Sequence, residues 1–595
     1  MDWKKALDRI LPPFADGQRE KPRDMLYTAS DRPPWSTTLS AGLQHALVAL
    51  MLVVYSVIVG RAIGLHDTDL RDFVALGILV MGFGTLLNGL TTRMSAGHLL
   101  VKIPNPITMF VFIAVANALG PGAAAGGILI AGLLVMILGR FLPLLRLLFP
   151  AEVTGIMLML LGMSLIPGGI DRAAGLDAEG VAWLDRDALL IAAVTLGTIV
   201  GLSVWSAGRA RILALLIGAG AGLAVAVVTG HFGGDELAQV AAQPWFAVPG
   251  AQYQAPTPVW VAAAIIPFLM VAIVDAVDTV GCAVTIDRMT NKQWKRPDLP
   301  MIGRLLYGFG LCHVLSGLTG TVMTVLSSAN LGLAHVTGVA ARRVGVVAGI
   351  LLMVLAFLPQ ITTFVILLPA AVVGAILLYT AAYMMVSGAE LILSRLLDAR
   401  RRAVVGLSLM AGSAVFMLPE LTSRLSPELE PLLGSGLMVG TLCAIVLNLL
   451  FRIGIARQAE SALDSKLPAA QATDFLEDRG ADWGARREVI VRAGVAVGEA
   501  LEALRQAGAM DGPARLKACF DEETLSLTLS YPGRAVRLAA LQPFDARALL
   551  EMDDDAPALD AAMANLSGVL IRNLADRVDS RAGAGRAELR LQFNH

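Results

Sequence analysis

Charge is scarce in this chain. Asp, Glu, Lys and Arg together make up 16% of its 595 residues, against about a quarter in an ordinary soluble domain. The formal net charge of -1 comes with no basic patch or tail, so nucleic acid is not a partner this composition suits. Cysteine is scarcer still. Cys282, Cys312, Cys443 and Cys519 include no C-x-x-C pair, and three of them fall in apolar segments. That excludes a disulfide framework and a zinc site and leaves them as small packing residues. The charged start, M-D-W-K-K-A-L-D-R-I, has no short apolar run followed by a small-residue cleavage site, so no cleaved signal peptide is expected.

What fills the chain instead is apolar. Hydrophobic residues account for 56%, and mean hydropathy is +0.68, values that belong to a polytopic membrane protein rather than a soluble one. Residues 1–38 are polar and basic. After them, spans read near 40–60, 73–92, 104–118, 121–139, 143–167, 187–206, 211–230, 258–285, 302–317, 321–341, 344–359, 361–387, 402–418 and 434–452, fourteen in all. Arg140, Arg209, Arg211, Arg288, Lys292, Lys295, Arg296, Arg342, Arg343 and Arg400 to Arg402 follow even-numbered spans, whereas Arg172, Arg186 and Arg424 lie on the other side. By the positive-inside rule both termini are cytoplasmic in an inner, cytoplasmic membrane.

Two spans are broken, and they hold the same ordinal position in each half. The third carries K-I-P-N-P-I-T-M-F with Pro104 and Pro106. The tenth alternates β-branched residues through Thr321, Val322, Thr324 and Val325, then turns at Ser327, Ser328, Ala329 and Asn330 into a helix. Interrupted segments in matching positions point to a midplane site between two seven-span inverted repeats. Irregular backbone at that depth is tolerated only where protein buries it or where it lines a cavity. The helix starting near Asn330 aims its positive end at that cavity.

Ionisable groups inside spans are expensive and default to function. Asp275 and Asp278 lie three apart on roughly one helical face, with Cys282 one turn beyond. Two carboxylates so close suit proton exchange; the alternative is a single structural acid bonded to a neighbouring helix. Gln44 and His45 sit early in the first span, as substrate or coupling contacts or as interhelical glue. Asn330, Gly332 and Thr337 form a more specific set. Gly allows close backbone approach, and an Asn amide can serve a planar heterocycle as well as cap a helix.

Residues 456–482 read as a polar linker. Beyond them Val489–Leu504 has helical spacing, Arg515–Phe520 and Thr524–Tyr531 alternate like a hairpin, Leu566–Val578 is helical, and Ala587–Phe593 alternates again. The domain expectation is therefore an N-terminal cytoplasmic segment at 1–38, a transporter domain at 39–455, the linker, and a small soluble α+β domain at 483–595.

From about Tyr27 to Arg452 the chain resembles the nucleobase-ascorbate transporter family, the uracil and xanthine permeases that form the second nucleobase:cation symporter family. The resemblance rests on Asp31-Arg32-Pro33-Pro34, Gln44-His45, the run Asp278-Thr279-Val280-Gly281, and Ala329-Asn330-Leu331-Gly332 followed by Thr337-Gly338. It implies an all-α fourteen-span fold of two inverted repeats with short strands in spans 3 and 10, divided into a core and a gate that often dimerises. It also implies import of a purine or pyrimidine base with protons, or with sodium in some members, and no cofactor or enzymatic activity. Asp278 takes the role of the substrate-binding glutamate. The backbone around Ala329, the Asn330 side chain and Gly332 complete the pocket, and Phe110 or Phe112 stacks on the base. Gln44 joins the substrate contacts, while Asp275, His45, Cys282 and Thr337 serve coupling or structure.

The departures are specific. Ala329 replaces the signature's Gln or Glu, Asp278 is shorter than glutamate, Cys282 stands at a polar or acidic position, and Phe309 at a common acid. They leave room for an anion permease of the same fold, or for a transporter-derived base sensor signalling through the tail. The tail has a fainter resemblance to histidine-kinase-type ATP-binding domains, at Glu499-Ala500-Leu501 and Leu570 to Asp579. Ala503, Tyr531, Asn565 and Ser567 depart from its nucleotide-binding positions, which implies a regulatory or dimerising role, with a cytoplasmic protein as partner.

Overall fold

The computed structural model describes residues 20–23, 25–139, 150–176, 185–206, 209–292, 298–393, 397–421, 425, 433–452, 456–463, 468–506, 508–521, 524–534, 570–582 and 586–594. Its contacts separate two compact units, Met1–Leu449 and Leu450–His595.

In the first unit the order is α1 (Trp35–Met51), α2 (Val54–Ala62), α3 (Asp67–Gly89), β1 (Lys102–Pro104), α4 (Pro106–Leu119), α5 (Pro121–Leu138), α6 (Ala151–Ala174), α7 (Arg186–Trp205), α8 (Arg209–Ile212), α9 (Ala214–Val228), α10 (Gly234–Ala241), α11 (Ala262–Met289), α12 (Leu299–Thr319), β2 (Thr324–Leu326), α13 (Ser328–Thr337), α14 (Arg342–Ala356), α15 (Pro359–Ile366), α16 (Ala370–Leu393), α17 (Ala399–Met417) and α18 (Gly436–Phe451). Among the described residues eight helical spans are long and apolar enough to cross a membrane, or nine if α14 and α15 are taken together. The chain is an integral membrane protein.

Three antiparallel helix pairs form the frame: α6 with α16, α5 with α12, and α3 with α14. Apolar side chains gain little from leaving lipid, so such pairs depend on close backbone approach at small residues. Here the small residues recur every seventh position. Gly155, Gly162 and Gly169 face Gly388, Ala381 and the Gly374 turn; Ala125, Gly132 and Gly139 face Gly317, Gly310 and Gly303; Gly82 faces Gly349. A Cβ at Gly310 would come within 2.5 Å of the Gly132 carbonyl oxygen, and one at Gly388 within 2.5 Å of that of Gly155.

The expected span at 361–387 is cut differently. Residues 359–366 form the short α15, bent 85° from α14, and the long helix begins only at Ala370. Pro359 opens α15 and Pro369 precedes α16, where a missing N–H and a fixed φ suit a helix start and oppose continuation.

In the second unit β3 (Arg457–Ala462), α19 (Pro468–Trp483), α20 (Arg487–Gln506), β4 (Arg515–Phe520), β5 (Thr524–Pro532), β6 (Arg577–Ala582) and β7 (Arg586–Asn594) build an antiparallel sheet of order β3-β4-β5-β7-β6. Alternation puts Leu525, Leu527, Leu529 and Tyr531 of β5 inward against Ala493, Val497, Ala500 and Leu504 of α20. Two readings need correction. Residues 456–482 are not a linker: Arg457–Ala462 pairs with β4, and α19 buries Ala472, Leu476 and Gly480 at helical spacing. The small and polar side chains of R-Q-A-E-S-A hide a strand whose stability comes from cross-strand pairing. Nor is Leu566–Val578 one helix: residues 570–574 are helical, Arg577–Ala582 is a strand with Val578 opposite Leu591, and 566–569 lie outside the described residues.

Replacing Gly310 with Ala should lower the melting temperature of purified protein, by overpacking worth roughly 1–3 kcal/mol. Gly197→Ala, where a Cβ meets nothing within 4 Å, should leave it near wild type.

Candidate functional site

The two broken spans meet. β1 and β2 pair antiparallel, with Lys102 opposite Leu326, Ile103 opposite Val325 and Pro104 opposite Thr324. The ladder closes alike at both ends: the Asn105 amide donates to the Met323 carbonyl at 2.9 Å, and the Ser327 amide to that of Val101 at 2.9 Å. Each strand then turns into a half-helix through a side-chain cap. Asn105 Oδ1 accepts from the Ile107 amide, and Ser327 Oγ from the Asn330 amide. The N-termini of α4 and α13, with the partial positive charge of their first-turn amides, thus start from one crossing.

Asp275 and Asp278, expected on one face of α11, have different surroundings. Asp275 is fully buried and its Oδ2 accepts a hydrogen bond from Asn105 Nδ2. Asp278 is exposed, and one turn on Gly281 has open space where a Cβ would stand. Helix α13, in contact with α11, likewise presents an open face with Ala329 exposed and nothing within 4 Å of a Cβ at Gly332. Cys282 is buried on the Asp275 side of the helix.

Asn330 is buried and committed. Its Oδ1 accepts from His45 Nδ1 at 2.8 Å, and its Nδ2 donates to Ser327 Oγ at 2.9 Å. That ties α1 to the broken span and gives His45 an interhelical bond of the glue kind. Gln44 beside it is half-buried. Thr337 donates to the Leu333 carbonyl of its own helix at 2.7 Å, the habit of a threonine near a helix end.

The two aromatics of α4 separate as well. Phe112 is fully buried and meets Phe73 and Phe268 edge-on at 6.3 and 6.5 Å, as part of the core. Phe110 is half-buried, the more accessible of the two.

Sequence reasoning named Ser327 only as part of the turn and gave Lys102 and Asn105 no role of their own. Lys102 is completely buried, with Nζ 3.5 Å from the Phe309 ring centroid. Phe309 in turn packs against His313, whose Nε2 donates to the Thr324 carbonyl at 3.0 Å. The signal was present: a lysine inside an apolar segment is as costly as an aspartate, but the prolines beside it drew the reading to the backbone.

Comparison with known proteins places the first unit among permeases by sequence. The sequence model of the Permease family of xanthine and uracil carriers matches residues 36–421, all inside the first unit. The xanthine permease of Bacillus subtilis is 29% identical over 431 residues, covering 71% of this chain and 95% of that protein. A uric acid permease of the same organism is 29% identical over 415 residues, covering 69% and 94%. The xanthine permease of Escherichia coli K12 is 27% identical over 453 residues, covering 72% and 95%. Among solved structures, the transmembrane domain of a cyanobacterial bicarbonate transporter aligns over 71% of this chain and 99% of its own, with 16% identity and a TM-score of 0.46. A family match over more than half of the chain, on the spans that build the crossing, shows that this permease belongs to the nucleobase-ascorbate transporter family.

Proposed function

We propose that this protein is a secondary active transporter that imports a purine or pyrimidine nucleobase, of xanthine or uracil type, together with protons across the cytoplasmic membrane. The observation that carries the reading is the crossing of β1 and β2, which sets two half-helix N-termini beside the open faces of Asp278, Gly281, Ala329 and Gly332. The named substrates of the relatives, xanthine and uric acid, are planar heterocycles rich in ring N–H groups and carbonyls. Asp278 accepts from ring N–H groups, first-turn amides near Ala329 donate to ring carbonyls, and Phe110 covers the ring face. Asn330 acts at one remove, holding Ser327 and His45 so that α13 starts where the base needs it. Asp275 supplies the titrating partner for coupling.

The same reading includes fourteen spans in two inverted repeats. What supports it is that the pairing of α3 with α14 and of α5 with α12 exchange when spans 1–7 are swapped with 8–14, while α6 with α16 and β1 with β2 map onto themselves. It also includes cytoplasmic termini, a homodimer, and a regulatory role for the second unit. An anion permease is the discriminating alternative. Uptake of radiolabelled xanthine, uracil and sulfate into inverted and right-side-out vesicles decides between them, and uptake of sulfate alone would sink the nucleobase reading.

Asp278→Ala should weaken base binding by roughly 1.5–3 kcal/mol, about 10- to 150-fold in Kd, measured by scintillation proximity on purified protein; unchanged affinity removes Asp278 from the site. Phe110→Ala should weaken binding by about 0.5–1.5 kcal/mol with little change in melting temperature, whereas Phe112→Ala should lower the melting temperature first.

A further inference from the structure

Lys102 is an ammonium with no ordinary partner. Its Nζ is buried and has no hydrogen-bond acceptor among the described residues, only the Phe309 ring. The side chain is accommodated by Gly84, where a Cβ would come within 3.2 Å of Lys102 Cγ and 2.7 Å of Cys312 Sγ. In the same interior Asp275 Oδ1 and the hydroxyls of Thr279, Ser316 and Thr324 are also buried without partners among the described residues. These groups come from β1, α11, α12 and β2; α11 and α12 touch each other and both touch β2, which pairs with β1.

The balance of charge is what makes this cluster informative. A buried ammonium left unpaired loses its hydration, and a desolvated cation–π contact returns only part of that loss. The remainder needs an anion, and the buried carboxylate nearest along the structure is Asp275, which is bonded to Asn105 at the end of the strand that carries Lys102. The other titratable groups near Lys102 are Cys312 and His313 on α12, with Asp278 beyond Asp275. One carboxylate oxygen with three hydroxyls is a set of hard oxygen donors, the kind that holds a small metal cation.

We propose that Lys102 is a tethered cation in a site of sodium-binding chemistry: its ammonium gives Asp275 the positive charge that a sodium ion held by Asp275 Oδ1, Thr279, Ser316 and Thr324 would otherwise give. Transport then needs no sodium. That last statement rests on the transport reading above, whereas the pairing of Lys102 with Asp275 does not.

Full-length protein, purified in detergent, tests the pairing by thermal melting in sodium chloride and in choline chloride of equal ionic strength. Wild type should melt at the same temperature in both. Lys102→Ala, with its carboxylate uncompensated and the ammonium's volume free, should melt lower in choline and rise with sodium in a saturable manner, as a bound ligand requires. Asp275→Asn and the double variant should show no such response, and the double should be more stable than the two single losses predict. If Lys102→Ala is not recovered folded, the double variant should be, because it buries no lone charge. A sodium-insensitive Lys102→Ala, an additive cycle, or a double variant as poorly recovered as the single overturns the proposal. In vesicles, labelled xanthine uptake by Lys102→Ala should fall about tenfold in choline and return to within about threefold of wild type in sodium. Sodium-dependent uptake by wild type would also overturn it. Wild type taking up no base in either salt would instead refute the transport reading and leave the melting result standing.

Discussion

Backbone amides and carbonyls cannot be left open inside a bilayer, and breaking two spans opens several at once. The ladder from Val101–Asn105 to Met323–Ser327 answers that demand, since each break supplies the partners the other lacks. Everything at the site follows from this mutual satisfaction. The two strands place Asn105 and Ser327 as caps, the caps start α4 and α13, and both half-helices begin with their first-turn amides at the crossing. A single broken span would have no such partner.

The frame around the crossing has a different logic. Glycines and alanines at every seventh position on α5, α6, α12 and α16 bring backbones into contact, where dispersion and weak Cα–H···O contacts act over a dense surface. The buried polar side chains of the candidate site are each held by a second partner: Asp275 by Asn105, His45 by Asn330, Asn330 by Ser327. Asp278 alone among the expected polar contacts is left open to solvent.

Membrane class, the two broken segments and the motif-bearing residues were legible in the sequence, because each is local. Hydropathy sums over a window, prolines and glycines interrupt a helix where they stand, and Ala329-Asn330-Leu331-Gly332 is contiguous. The alternation of Thr524–Tyr531 and Ala587–Phe593 was legible for the same reason. The strand at Arg457–Ala462 was not, since its residues are polar and small and its conformation is set by pairing with β4 fifty-odd residues away. The second proline of the α15 turn was likewise masked by apolar neighbours on both sides.

By itself the sequence determined that the chain enters a membrane, where its spans break, and which carboxylates and amides it sends inside. Only the tertiary structure decided what those groups do. Separating Asp278 from Asp275, spending Asn330 on His45 and Ser327, sending Phe112 into the core while Phe110 stays half-buried, and bringing Lys102 over the Phe309 ring across more than two hundred residues are all matters of which helices touch. Helical periodicity says which residues share a face. It does not say what that face meets.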